Sequence, residues 1–180
     1  MALTLEARLL NNLGQPKQFL NLLKTSKDVN NQSIEYQEVF NMLLINNQTK
    51  AATDTQIINY LTDKVNINDK KLSNILVTNP KFINIPLLTN LIIKKYTNNK
   101  IPRQLIDLLN KIIPKYKNNE QLIRFLITKS EFDPSVNNNQ FIRIASYDGY
   151  SEIVKELLKD SRIKITQQST LRLALKAWLK

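Results

Sequence analysis

The sequence predicts an all-α chain built as an array of short antiparallel helix hairpins, an α-solenoid. Three observations carry this expectation. Leu and Ile recur at helical spacing in segments of about ten residues, bounded by capping residues. Gly occurs only twice and aromatics make up 7% of the 180 residues, which suits packed helices better than tight-turned sheets. Near the C-terminus the sequence also repeats itself with a period of about 30 residues.

Leu3, Leu5, Leu9, Leu10 and Leu13 follow helical spacing, and Gly14 stands where a C′ residue ends that helix. Pro16 opens a second helix through Phe19, Leu20, Leu22 and Leu23. After the polar stretch Asp28 to Gln32, Ser33 is the expected N-cap of a helix with Ile34, Val39, Phe40, Leu43 and Leu44. Thr53 and Gln56 have capping-box spacing before Ile57, Ile58 and Leu61. Asn68 or Asp69 opens a helix with Leu72, Ile75, Leu76 and Val77, which stops near Pro80. Ile85 to Tyr96 form the next, with Pro86 tolerated in its first turn. Pro102 opens a helix carrying Leu105, Ile106, Leu108, Leu109, Ile112 and Ile113, ended or kinked by Pro114. Asn118 or Asn119 caps a helix with Leu122, Ile123, Phe125, Leu126 and Ile127; Asn138 to Tyr147, Ser151 to Lys159 and Thr166 to Leu179 complete the set.

Leu126-Ile127-Thr128-Lys129-Ser130-Glu131-Phe132 recurs 31 residues on as Leu157-Leu158-Lys159-Asp160-Ser161-Arg162-Ile163. Ile142-Arg143-Ile144-Ala145 recurs 29 residues on as Leu171-Arg172-Leu173-Ala174. With Asp133-Pro134-Ser135, Asn138-Asn139, Gly149, Glu152-Ile153-Val154, Asp160 and Arg162, this segment resembles the ankyrin repeats of giant DNA viruses and amoebae. One full unit covers about residues 132–163. The domain reading is thus a helical region over 1–110, either degenerate repeats or an unrelated helical layer, and ankyrin-like helical repeats over 111–180. The resemblance implies a protein-protein interaction module, of viral type, that offers the first helix of each pair to its partner. It points to Gln140, Arg143, Tyr147 and the nearby Tyr150, and gives Gly149 the tight turn between helices.

Composition excludes much chemistry. Neither Cys nor His is present, so disulfides, the usual zinc sites and His-based triads are ruled out. With Gly only at 14 and 149, neither a P-loop nor a dinucleotide fingerprint can be built. Asp69-x-Lys71 is the sole acid-x-Lys spacing and reads as a solvated helix cap; Glu35 with Glu38, and Glu152 with Glu156, read as exposed helix faces. No enzymatic activity and no cofactor are expected. Apolar runs are too short for a bilayer and the start lacks a signal-peptide core, which predicts an intracellular protein with no membrane role. Cytoplasm, virion and virus factory all fit, and the nucleus stays open.

The net charge is +11, and residues 91–130 carry nine Lys/Arg against Asp107 and Glu120, a net of +7. An AT-rich codon usage raises Lys everywhere; it does not concentrate it. The alternative reading is therefore nucleic-acid binding through Lys94, Lys95, Lys100, Arg103, Lys111, Lys115, Lys117 and Arg124. Lys95-Tyr96 and Lys115-Tyr116 echo each other at successive helix ends, where cations also offset the helix dipole. The last helix, with Leu171, Leu173, Leu175, Trp178 and Leu179 apolar on more than one side, is a candidate self-association surface for a homo-oligomer.

Overall fold

In the computed structural model of the chain, residues 9, 12–25, 32–46, 49–79, 81–116 and 119–163 are described. Among them every regular element is helical and no strand occurs. The elements are α1 (Pro16–Thr25), α2 (Gln32–Leu44), α3 (Lys50–Thr53), α4 (Thr55–Lys64), α5 (Asp69–Thr78) and α6 (Ile85–Tyr96). They continue as α7 (Arg103–Ile112), a 3-10 turn (Ile113–Lys115), α8 (Glu120–Ile127), α9 (Val136–Asp148) and α10 (Ser151–Leu158). Contacts divide the chain into two compact units, Met1–Lys95 and Tyr96–Lys180. The expected helix over Thr166–Leu179, and with it the self-association surface, lies outside the described residues. Of the expected first helix, only buried Leu9 and the turn at 12–14 are described.

In the first unit, most of the apolar positions read from the sequence are buried: Phe19 and Leu23 of α1, Phe40, Leu43 and Leu44 of α2, Ile57 and Leu61 of α4, Leu72 and Leu76 of α5, whereas Val77 of α5 is exposed. The start of α4 differs from expectation. Its N-cap is Asp54, whose carboxylate accepts from Gln56 N at 3.0 Å and Ile57 N at 3.1 Å. Thr53 instead ends the short α3, its hydroxyl turned back to the carbonyls of Thr49 (3.4 Å) and Lys50 (3.2 Å). An ionised acceptor makes the stronger cap, so Asp54 displaces the expected Thr53. Asn68 caps α5 as expected, accepting from Lys71 N at 2.8 Å. Asn84 is buried; its Oδ1 accepts from Leu87 N at 3.1 Å to cap α6, while its Nδ2 donates to Ala52 O at 2.5 Å and Leu43 O at 3.3 Å.

In the second unit, α7 buries Leu105, Ile106, Leu109 and Ile112 and exposes Arg103, Gln104, Asp107 and Lys111. Pro114 cannot extend that helix with a normal hydrogen bond, and the chain tightens into the 3-10 turn there. Asn119 precedes α8, yet its amide does not cap it: Nδ2 donates backwards to Ile113 O (2.9 Å) and Tyr116 O (2.8 Å), closing the connection instead. Helices α9 and α10 pack against each other across the two-residue link Gly149-Tyr150, an antiparallel pair. Gly149 has φ +80°, the left-handed C′ position for which glycine is suited, and Tyr150 N closes the turn on Ala145 O at 2.8 Å. Phe132 and Phe141 meet edge to face, 4.9 Å apart, in the core of this unit.

A spacing recurs in both units. Helices α5 and α7 begin at Asp69 and Arg103, and α6, α8 and α10 at Ile85, Glu120 and Ser151. Long-range hydrogen bonds within each unit mostly join residues 28 to 33 positions apart. Exceptions cluster at the start of the first unit, such as Tyr36 Oη to Leu23 O (3.0 Å) and Ala51 N to Leu13 O (2.9 Å).

Three of the recurring bonds are one device. A cation at or after the end of α6, α8 and α10 donates to carbonyls about thirty residues upstream: Lys95 to Ile67 O (2.5 Å), Lys129 to Tyr96 O and to Thr97 O (3.0 Å), and Arg162 to Phe132 O (2.9 Å). Carboxylates brace two of these cations. Lys95 pairs with Asp69 at 2.6 Å, and Arg162 pairs with Asp160 through two of its nitrogens, at 2.9 and 2.6 Å. The Arg162 guanidinium holds the Asp160 carboxyl below its usual value. Glu131 adds a fourth tie, accepting from Ile101 N at 2.6 Å.

That backbone N–H is the main reason the Glu131 carboxyl titrates below its ordinary 4.5. A folded-state value lowered in this way contributes stability that is complete above the ordinary value and is lost as pH falls through the lowered one. Glu131→Gln should therefore flatten the acid limb of a stability-against-pH curve measured by urea denaturation; an unchanged limb would contradict the tie. Lys129→Met removes one donor to the Tyr96 and Thr97 carbonyls and should cost about 1 kcal/mol in the same assay. A loss within error would mean that those carbonyls do not depend on Lys129.

Candidate functional site

The second unit carries an open groove of about 470 Å³. Pro114, Lys115 and Tyr116 form one wall, and Gln140, Arg143, Ile144, Tyr147 and Asp148 of α9 form the other. On a helix, positions 140, 143, 144 and 147 share one face, so a single stripe of α9 supplies that wall.

The stripe is aimed by the chain before it. Asn137, Asn138 and Asn139 all have left-handed backbone angles, with φ of 50°, 57° and 58°. Asn tolerates that region better than other side-chain-bearing residues, although three in succession is unusual and carries strain. Right-handed helix follows them, starting further along than the expected Asn138. Asn137 Nδ2 donates to Gln140 Oε1 at 3.1 Å, and Gln140 Nε2 donates to Asn110 O at 3.0 Å. Gln140 is only 7% exposed, so both ends of its amide are used within the protein. It forms the floor of the groove and ties α9 to α7.

The other residues of the stripe differ. Arg143 is exposed and makes one long bond, to Asn137 O at 3.4 Å. Tyr147 is 83% exposed, the most exposed of the large apolar side chains among the described residues. Gln140, Arg143 and Tyr147 thus line one groove. Tyr150 lies elsewhere, at the start of α10, in a shallower depression with Glu120, Gln121 and Arg124.

The basic residues fall into three groups. Lys94 bonds Thr62 O at 2.8 Å and Asp63 at 3.0 Å, Lys95 is held by Asp69 and Ile67 O, and Arg124 bridges Glu120 (3.2 Å) and Glu156 (3.1 Å). Lys100, Arg103, Lys111 and Lys115 are exposed and have no ion-pair partner among the described residues. Lys117 lies outside those residues. Lys94 and Lys95 belong to the first unit, and Lys100, Arg103, Lys111, Lys115 and Arg124 to the second.

Sequence reasoning does not place Pro114, Tyr116, Ile144 and Asp148 in the site. The Lys115-Tyr116 echo is the one signal that points at Tyr116. Among the described residues there is no cluster of acids suited to hold a metal and no helix long and apolar enough to cross a membrane. No known protein family, curated protein or solved structure matches this chain.

The left-handed turn that aims the stripe is open to test at Asn138, which is exposed. Asn138→Ala should lower stability by about 1 kcal/mol while Asn138→Gly leaves it within about 0.5 kcal/mol. An ordinary right-handed helix gives the opposite order, with Ala above Asn and Gly lowest. Thermal melts of the two variants distinguish these outcomes.

Proposed function

We propose that the chain is a non-enzymatic protein-protein interaction module, built as an ankyrin-like α-solenoid and using the α9 stripe as part of its contact surface. The observation that carries this reading is the repeated spacing of 28 to 33 residues between hydrogen-bonded partners within the two all-helical units. Helix pairs that bond to the next pair at a fixed sequence distance are what a stacked repeat requires. Such an array offers recognition surface rather than reactive side chains. The exposed Arg143 and Tyr147 are of the types enriched where interfaces carry their binding energy.

The nucleic-acid reading has less to stand on. Lys94, Lys95 and Arg124 are committed to ion pairs, which leaves Lys100, Arg103, Lys111 and Lys115 as its described candidates.

A pull-down with the tagged full chain, run with and without nuclease, tests the proposal. The wild-type chain should retain a protein partner that an Arg143→Ala, Tyr147→Ala variant loses, with an unchanged melt. Equal retention by both would remove this face from the contact. Recovery that disappears on nuclease treatment would favour the nucleic-acid reading.

A further inference from the structure

We propose that the groove between the 3-10 turn and α9 takes an extended, acidic peptide segment of a partner protein, an inference that rests on the interaction-module reading. Carboxylates of the segment meet Lys115 and Arg143, and an apolar side chain lies over Ile144 and Tyr147.

Charge complementarity identifies the occupant. Lys115 is exposed with no ion pair among the described residues, and Arg143 is engaged there only by one carbonyl at 3.4 Å. The two cations line the groove from different segments of the chain, the 3-10 turn and α9, together with Tyr116, Ile144 and Tyr147. The one acid in the lining, Asp148, forms no ion pair with either. Arg143 and Lys115 thus remain available to an incoming carboxylate.

Size and rigidity favour a segment. About 470 Å³ accommodates a few side chains rather than the face of a folded domain. Gln140, tied to Asn110 and Asn137, keeps the floor from closing. A strand-like segment turns alternate side chains to the same side, so acids on one side can reach the cations while the chain stays extended.

A nucleic acid fits less well. Two cations neutralise about two phosphates, and at a slope of about −0.7 each a single strand loses only about sevenfold in affinity between 50 and 200 mM salt. So small a salt dependence reflects a small electrostatic contribution, and the Asp148 carboxylate opposes a continuous phosphate chain.

The test is selection of a random peptide library on the full chain, followed by fluorescence anisotropy. Probes are a peptide alternating glutamate with leucine, its glutamine counterpart, and oligo(dT) of similar length. Enrichment of Asp and Glu in the selected peptides, and at least about tenfold weaker glutamate-peptide binding by Lys115→Glu, Arg143→Glu, would support the proposal. Lys115→Gln, Arg143→Gln with an unchanged melt should show a smaller loss in the same direction, which separates charge from misfolding. Equal binding of the glutamate and glutamine peptides overturns the proposal. Selection of neutral peptides that require Tyr147 overturns it while leaving the interaction module in place. Binding of oligo(dT) with no peptide selected overturns both.

Discussion

Carbonyls at helix ends and connections need donors, and in this protein several of those donors come from about thirty residues further along the chain. Lys95, Lys129 and Arg162 each reach back to carbonyls near the end or connection of an earlier helix. Asn84 and Gln140 do the same with neutral amides. A buried carbonyl left without a partner costs about 1–3 kcal/mol, a sizeable part of a domain's net stability of about 5–15 kcal/mol. Apolar burial drives the helices together but is tolerant of sliding. Directed bonds at a fixed sequence distance select one arrangement.

The same device shapes the candidate site. Gln140 is the point where α9 is bonded to α7, and Asn137 is bonded to Gln140. Arg143 and Tyr147 project from the turns that follow, so their positions derive from a braced helix rather than a loop. The strained run Asn137–Asn139 sets where that helix begins. Binding residues held in this way lose little freedom when a partner arrives, which favours affinity.

Much of the fold is legible in the sequence because long apolar side chains at helical spacing leave few alternatives. Helices α1, α5, α6 and α7 follow from their stripes and prolines, and Gly149 from the tightness of its turn. What is illegible depends on choices between similar groups. Asp54 rather than Thr53 caps α4, and Asn119 bonds backwards instead of capping α8; a linear pattern does not rank such competing acceptors and donors. Gln140 reads as a surface residue in the sequence, and only the position of Asn110 O shows that its amide is used internally. The ion pairs of Lys95 with Asp69 and of Arg124 with Glu156 are hidden for a similar reason, since the partners are 26 and 32 residues away. The cation spacing itself, at 95, 129 and 162, is present in the sequence but has no meaning until the carbonyls it serves are located.

Solution NMR on the full chain tests the central claim most directly. Bonding between segments about thirty residues apart predicts nuclear Overhauser contacts from the Gln140 side-chain amide to Asn110, and from the Asn90 amide to Asn59, whose groups lie 3.0 and 2.9 Å apart. Absence of these contacts in a folded, well-dispersed spectrum, with other long-range contacts in their place, would contradict the account.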